Sequence, residues 1–124
     1  ILVPQGTLAE QIRAKGAGLG GVLTPTGLGT LVQEGKQVIE VDGKKYILEK
    51  PMKADLAIVE ATYADTFGNG VNIGTTRNFN PLMALAADVV VMGTYEVREP
   101  GKVDPSSVTI HGVLVDYLVE IVEA

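Results

Sequence analysis

The sequence predicts an α/β domain: a largely parallel open sheet with flanking helices and an added β-hairpin. Two apolar runs of strand length, Leu56-Ala57-Ile58-Val59 and Val89-Val90-Val91-Met92, are separated by a segment that starts like a helix. Asp42-Gly43 lies between Val38-Ile39-Glu40-Val41 and Tyr46-Ile47-Leu48, a strong local signal for a two-residue hairpin turn. With four Tyr, two Phe and no Trp, any core must be built from Val, Leu, Ile and Ala. A length of 124 residues predicts one domain over 1–124.

In chain order, Ile1 to Val3 reads as the last residues of a buried strand, broken by Pro4. Thr7 to Lys15 follows as a short helix. Thr7 and Glu10 have capping-box spacing, and Leu8 and Ile12 share a face while Glu10, Gln11, Arg13 and Lys15 stay in water. Lys15 in the last turn and Gly16 beyond it supply the stop. The stretch from Gly16 to Gly29 then holds six glycines in fourteen residues, a density that answers demands for positive φ or close backbone approach. Leu19, Val22, Leu23 and Leu28 among them predict an ordered loop, since a solvated linker would be more polar.

In the hairpin of Gln37 to Glu49, a two-residue loop sets Ile39 opposite Tyr46 and Glu40 opposite Lys45. Asp55 to Ala61 has the continuous apolar centre of a strand buried on both faces. A turn at Phe67 to Gly70 and a short extension at Val71 to Ile73 come next. Asn80-Pro81 then opens a helix through Ala87, with Asn80 as N-cap, and Asp88 to Met92 is the next buried strand. Pro100 to Ser107 is a loop, and Val113 to Val119 the final strand.

Ten basic residues against fifteen acidic ones give a formal charge of −5, which disfavours a general nucleic-acid binder. The absence of Cys excludes disulfides, thiolate metal sites and a cysteine nucleophile, and a single His excludes multi-His metal sites. The longest apolar run, Leu82 to Ala87, falls far short of the about 20 residues needed to cross a bilayer, and no signal peptide is visible. The expected compartment is the cytoplasm. The start at Ile1, in mid-strand and without Met, predicts that an N-terminal part of the sheet is missing.

Three motifs invite chemistry. Gly16-Ala-Gly18-Leu-Gly-Gly21 matches G-x-G-x-x-G, but it follows a helix, where a dinucleotide fingerprint follows a strand and opens a helix. Gly29 to Lys36 is one residue too long for a P-loop, and Gln37 replaces its Ser or Thr. Arg77-Asn78-Phe79-Asn80 reads as helix capping with surface charge, ahead of a binding role. His111 reads as a loop histidine. Glu34, Glu40, Glu49, Glu96 and Glu99 show no acid–base pairing in their spacing and read as solvated charge. Residue types and spacing thus yield a cytosolic α/β domain with a rigid glycine loop, and no reaction.

The ordered set Val3-Pro-Gln-Gly-Thr-Leu-Ala-Glu-Gln-Ile-Arg13, Thr24-Pro-Thr-Gly27 and Arg77-Asn-Phe-Asn-Pro81 is more specific. With Glu34-Gly-Lys36, Asp42-Gly-Lys44, Gly68-Asn69 and Gly112-Val-Leu-Val-Asp116, it resembles the alpha (A) subunit of family I CoA-transferases, those of 3-oxoacids and short-chain acids such as butyrate or acetate–acetoacetate. The resemblance covers nearly the whole chain and implies the CoA-transferase-like α/β fold, as the C-terminal part of that subunit. It also implies a covalent mechanism. A glutamate of the B (beta) subunit attacks the acyl-CoA thioester to give a mixed anhydride, and the CoA thiolate then forms an enzyme thioester. CoA is implied as a substrate, with no permanently bound cofactor and no metal.

Gln5 matches the family's glutamine beside the active site and is implied as a positioning or oxyanion-side donor, with Gly6 easing the strand-to-helix transition. Gly20, Gly21, Thr24, Thr26 and Gly27 are implied to shape the pocket or the A–B interface. The nucleophile's Ser-Glu-Asn-Gly motif does not occur here and is expected on the B subunit. The A subunit's Gly-Gly-Phe signature is also absent, and Thr109-Ile-His111 departs from the family's Thr-Pro before Gly112. The expected partners are a B subunit, the missing N-terminal segment, and acyl-CoA and carboxylic-acid substrates, with neither nucleic acid nor membrane. Two alternatives stand beside this: a non-catalytic module binding CoA or a nucleotide, and a structural fragment with an exposed apolar face.

Overall fold

A computed structural model describes residues 2–122. The chain divides into two compact units, Ile1–Lys53 and Ala54–Ala124.

In the first unit, helix α1 (Gln5–Gly16) is followed by a three-stranded antiparallel sheet of order β1-β3-β2, made of β1 (Val22–Thr24), β2 (Val38–Val41) and β3 (Lys44–Glu49). The hairpin follows its turn chemistry. Asp42 at φ 50° and Gly43 at φ 74° both take the left-handed conformation of a type I′ turn. Ile39 therefore faces Tyr46, and Glu40 faces Lys45.

The helix departs from the expected capping. It begins after Pro4, two residues before Thr7, and no side chain caps it. Thr7 is buried on its inner face, and Glu10 turns outward to Arg13. Its end is a Schellman arrangement in which Gly18, at φ 68°, is the left-handed residue and Gly16 still helical. There the Leu19 N–H donates to Ala14 O and the Gly18 N–H to Lys15 O. Leu2 to Pro4 form no strand, and Leu2 is exposed; Ile1 lies outside the described residues.

Two residues expected in water are buried here. Glu49 is 3% exposed, and its Oε1 accepts from Lys36 Nζ at 2.6 Å. Gln11 Nε2 donates to Glu49 Oε2 at 3.3 Å and to Lys50 O at 3.1 Å. Both partners of this amide nitrogen are acceptors, which fixes its orientation and leaves Gln11 Oε1 buried without a donor among the described residues.

The second unit holds a parallel sheet of order β4-β7-β9, from β4 (Ala54–Ala61), β7 (Ala87–Thr94) and β9 (Tyr117–Glu120). Between β4 and β7 run β5 (Tyr63–Asp65), β6 (Gly70–Val71) and helix α2 (Asn80–Ala86); β8 (Val97–Arg98) follows β7 and pairs parallel with β5. The core is aliphatic and lies on one face of the parallel sheet: Ala57, Val59, Ala61, Val90 and Met92 pack with Ala64, Ala84 and Ile110. Burying a side chain such as Met92 contributes about 1.5–3 kcal/mol.

Asn80 does not cap α2, because Phe79 holds that position. Its amide bridges instead, accepting from Glu60 N–H and donating to Thr76 O. The final strand begins only at Tyr117, since Gly112–Leu114 form a 3₁₀ turn whose Leu114 and Val115 pack on the core. The burial expected on both faces of β4 is found on one: Leu56 and Ile58 are 51% and 73% exposed.

Candidate functional site

In the first unit, α1 and the segment from β1 into the glycine loop bound a cleft of about 560 Å³. The helix supplies Gly6, Thr7, Glu10 and Arg13; the facing wall is Val22, Leu23, Thr24 and Thr26. Of the residues expected at the site, Gly6, Thr24 and Thr26 line this cleft together, whereas Gln5, Gly20, Gly21 and Gly27 are not among its walls. Gln5 is the first residue of α1, exposed, and its side chain makes no hydrogen bond among the described residues.

The loop wall is rigid for identifiable reasons. Thr24 Oγ1 accepts from Thr26 N–H at 3.1 Å, and Thr30 Oγ1 donates to Gly27 O at 2.7 Å while accepting from Val32 N–H. At Gly27, with φ 90°, a Cβ would lie 2.7 Å from the Val32 side chain, so a side chain there is strained by both backbone and space. A Cβ on Gly21 would lie 2.8 Å from Glu49 O, which is what lets the loop enter β1 alongside β3. Gly20 has open space around it.

The cleft's charges neutralise each other. Arg13 donates from Nε at 2.8 Å and Nη2 at 2.6 Å to Glu10 Oε2. These hydrogen bonds hold the Glu10 carboxyl below its ordinary value and the Arg13 guanidinium above its own. A carboxylate so engaged is a poor nucleophile. Backbone, three threonine hydroxyls and one internally paired carboxylate equip this cleft to orient a ligand rather than to attack it. No group of three or more His, Asp or Glu among the described residues could hold a metal ion.

The second unit contributes two other concavities. The larger, about 620 Å³, lies on the exposed face of the parallel sheet beside Glu60, Thr75, Thr76 and Asn80. The smaller, about 250 Å³, is lined by Tyr63, Asn72, Ile73 and Arg77. The Arg98 guanidinium stacks 3.5 Å from the Tyr63 ring centre and is held by Glu96. His111 is exposed, and its carbonyl accepts from Leu114 N–H at the head of a 3₁₀ turn. No described helix is long and apolar enough to cross a membrane.

Sequence reasoning missed the Lys36–Glu49–Gln11 cluster of the first unit. The one available signal was an acidic residue ending an apolar-alternating strand, where a solvated glutamate and a buried one look alike.

The chain resembles known proteins along almost all of its length. The Coenzyme A transferase family model matches residues 1–121. Over 119 residues, 96% of this chain, it is 51% identical to acetate CoA-transferase subunit alpha of Escherichia coli K12 and spans 54% of that protein. It is 47% identical to the acetoacetyl-CoA:acetate/butyrate CoA transferase alpha subunit of Clostridium acetobutylicum over 96% of this chain and 55% of that one. Among solved structures, an acyl-CoA transferase of E. coli O157:H7 superposes with a TM-score of 0.87 at 26% identity, over 96% of this chain and 27% of that one. The glutaconate CoA-transferase of Acidaminococcus fermentans shares the fold, with a TM-score of 0.82 at 19% identity over 95% of this chain and 44% of that one. The chain spans about half the length of the curated relatives it matches. From its glycine loop to its parallel sheet, this chain belongs to the Coenzyme A transferase family.

Proposed function

We propose that this chain is the C-terminal part of the alpha subunit of a cytoplasmic, heteromeric CoA-transferase acting on short-chain acyl-CoA or 3-oxoacyl-CoA. It contributes one wall of an active site whose nucleophilic glutamate lies on a B subunit. The observation that carries this reading is the cleft between α1 and the glycine loop, whose one carboxylate among the described residues, Glu10, is tied to Arg13. Such a wall positions and excludes water while another chain supplies the attacking oxygen. Two relatives whose names call them alpha subunits, and a structural neighbour described as a thioester complex with CoA, support the same reading.

The chemistry balances in four steps. The partner's carboxylate oxygen attacks the acyl-CoA carbonyl, forming a mixed anhydride and expelling the CoA thiolate. That thiolate attacks the glutamyl carbonyl, giving an enzyme thioester and releasing the first carboxylic acid as its anion. An acceptor carboxylate attacks the thioester, regenerating a mixed anhydride and the thiolate. The thiolate then attacks the acceptor acyl carbonyl, which frees the glutamate and yields the new acyl-CoA. Each tetrahedral intermediate carries an oxyanion that needs a fixed N–H donor in a dry site. From this chain we assign Gln5, which lies outside the cleft walls but adjoins the lining residue Gly6 and is exposed, with no side-chain hydrogen bond among the described residues; its fixing and drying are left to the rest of the assembled enzyme.

In the enzyme assembled with its B subunit and the remainder of the alpha subunit, Gln5→Ala is expected to lower kcat about 100-fold with little change in KM. The chain alone is expected to have no turnover. Acyl exchange by the isolated chain, or full kcat in the Gln5→Ala enzyme, would contradict the assignment.

A further inference from the structure

Thr7 lines the cleft of the first unit and is only 5% exposed. Its hydroxyl makes no hydrogen bond among the described residues. Nor is it sealed in the core: the fully enclosed side-chain atom without a partner among the described residues is Gln11 Oε1, one helical turn further along the same face. A nearly buried hydroxyl without a protein partner leaves a hydrogen bond unmade, and a ligand oxygen in the cleft restores it.

The other walls decide which oxygen that is. Glu10 and Arg13 are bonded to each other, so a charged tail meets a pair already neutralised. Pro4, Val22 and Leu23 add apolar surface. The combination suits a short carbon chain that carries a neutral carbonyl, and because a carbonyl only accepts, the hydroxyl donates. The reacting carbonyl of an acyl-CoA is a poor match, since it must stay open to a carboxylate from another chain. What reaches Thr7 is an oxygen further along the acyl chain.

We infer that Thr7 determines specificity for 3-oxoacyl groups, its hydroxyl donating to the 3-oxo oxygen while exposed Gln5 serves the reacting carbonyl. The inference deepens the CoA-transferase reading and rests on it. A saturated acyl chain of equal length sets a methylene against the hydroxyl and leaves it unpaired, which is how a polar site rejects an apolar analogue.

The test uses the enzyme assembled with its B subunit and the remainder of the alpha subunit. Its probes are acetoacetate and butyrate, which share a carbon chain and differ by the oxo oxygen at C3. Binding of each acid is titrated calorimetrically without CoA, and kcat/KM is measured with each as CoA acceptor. Thr7→Val, which removes the hydroxyl and nearly keeps the shape, is expected to weaken acetoacetate about tenfold in both readouts and to change butyrate by less than about twofold. Thr7→Ser is expected to retain the preference for acetoacetate. The thermal midpoint of Thr7→Val should not fall, because the lost hydroxyl has no protein partner.

Equal losses for the two acids, a preference that survives Thr7→Val, or a starting enzyme without any preference would each overturn the inference. So would a lowered midpoint, which would reveal a partner within the fold. The titration separates the two claims: a preference for acetoacetate that Thr7→Val removes, in an enzyme that transfers no CoA, refutes the CoA-transfer reading alone.

Discussion

The two units bury different things. Around Glu49 the first unit encloses a carboxylate, an ammonium and an amide with few aliphatic side chains, Ile12, Ala14 and Ile47 being its buried apolar residues. The second encloses a continuous aliphatic cluster centred on Met92 and Ile110. A polar fastening is directional and fixes one geometry; an aliphatic cluster is tolerant and supplies bulk stability. The difference matches what each unit shows: the first shapes the cleft, and the second leaves Leu56, Ile58 and Tyr117 exposed on one face of its sheet.

The contrast can be broken most severely at its charged end. The pair is buried on the Glu49 side, its side chain 4% exposed against 22% for Lys36, so Glu49→Ala takes the acceptor from Lys36 and from the Gln11 amide and is expected to destabilise the chain by about 3 kcal/mol, read by thermal or urea denaturation. The double variant Lys36→Met/Glu49→Met removes both charges and is expected to be more stable than Glu49→Ala. Equal loss in the two would show that the fastening works through packing rather than charge. In the aliphatic unit, Met92→Ala is expected to cost about 2–3 kcal/mol through lost burial and a residual cavity, whereas Ile58→Ala on the uncovered face should change stability by less than about 0.5 kcal/mol. Comparable losses at the two sites would mean that the outer face is already covered.

The smallest effect is at the surface. The Ser106 hydroxyl and backbone N–H hold the Asp104 carboxyl below the usual aspartate range. A lowered folded-state pKa contributes stability that is present above the ordinary aspartate value and lost as pH falls through the folded one. Asp104→Asn should therefore flatten the acid limb of the stability profile slightly, and an unchanged limb would sink that assignment.

What was legible in the sequence was local. Asp42-Gly43 set the hairpin and its register because the turn chemistry needs only its own two residues. The two parallel strands were legible from continuous apolar runs of strand length. The errors came where a local motif competed with a distant partner. Thr7 and Glu10 have capping spacing, yet Thr7 is used for burial and Glu10 for Arg13. Asn80 precedes a Pro as a cap would, but its amide is engaged by Glu60, twenty residues away. Glu49 meets Lys36 and Gln11 across separations of 13 and 38 residues, which no spacing rule encodes. At the candidate site, resemblance alone singled out Gly6, Thr24 and Thr26, which line one cleft; spacing could not single them out, because a glycine or a surface hydroxyl carries no pattern of its own.

The central claim is that this chain forms a wall of the site and another chain carries the nucleophile. The assembled enzyme should be incubated with acyl-CoA, denatured at once, and each chain weighed by mass spectrometry. The account predicts a CoA adduct on the B subunit and an unmodified mass for this chain; an adduct on this chain would contradict it.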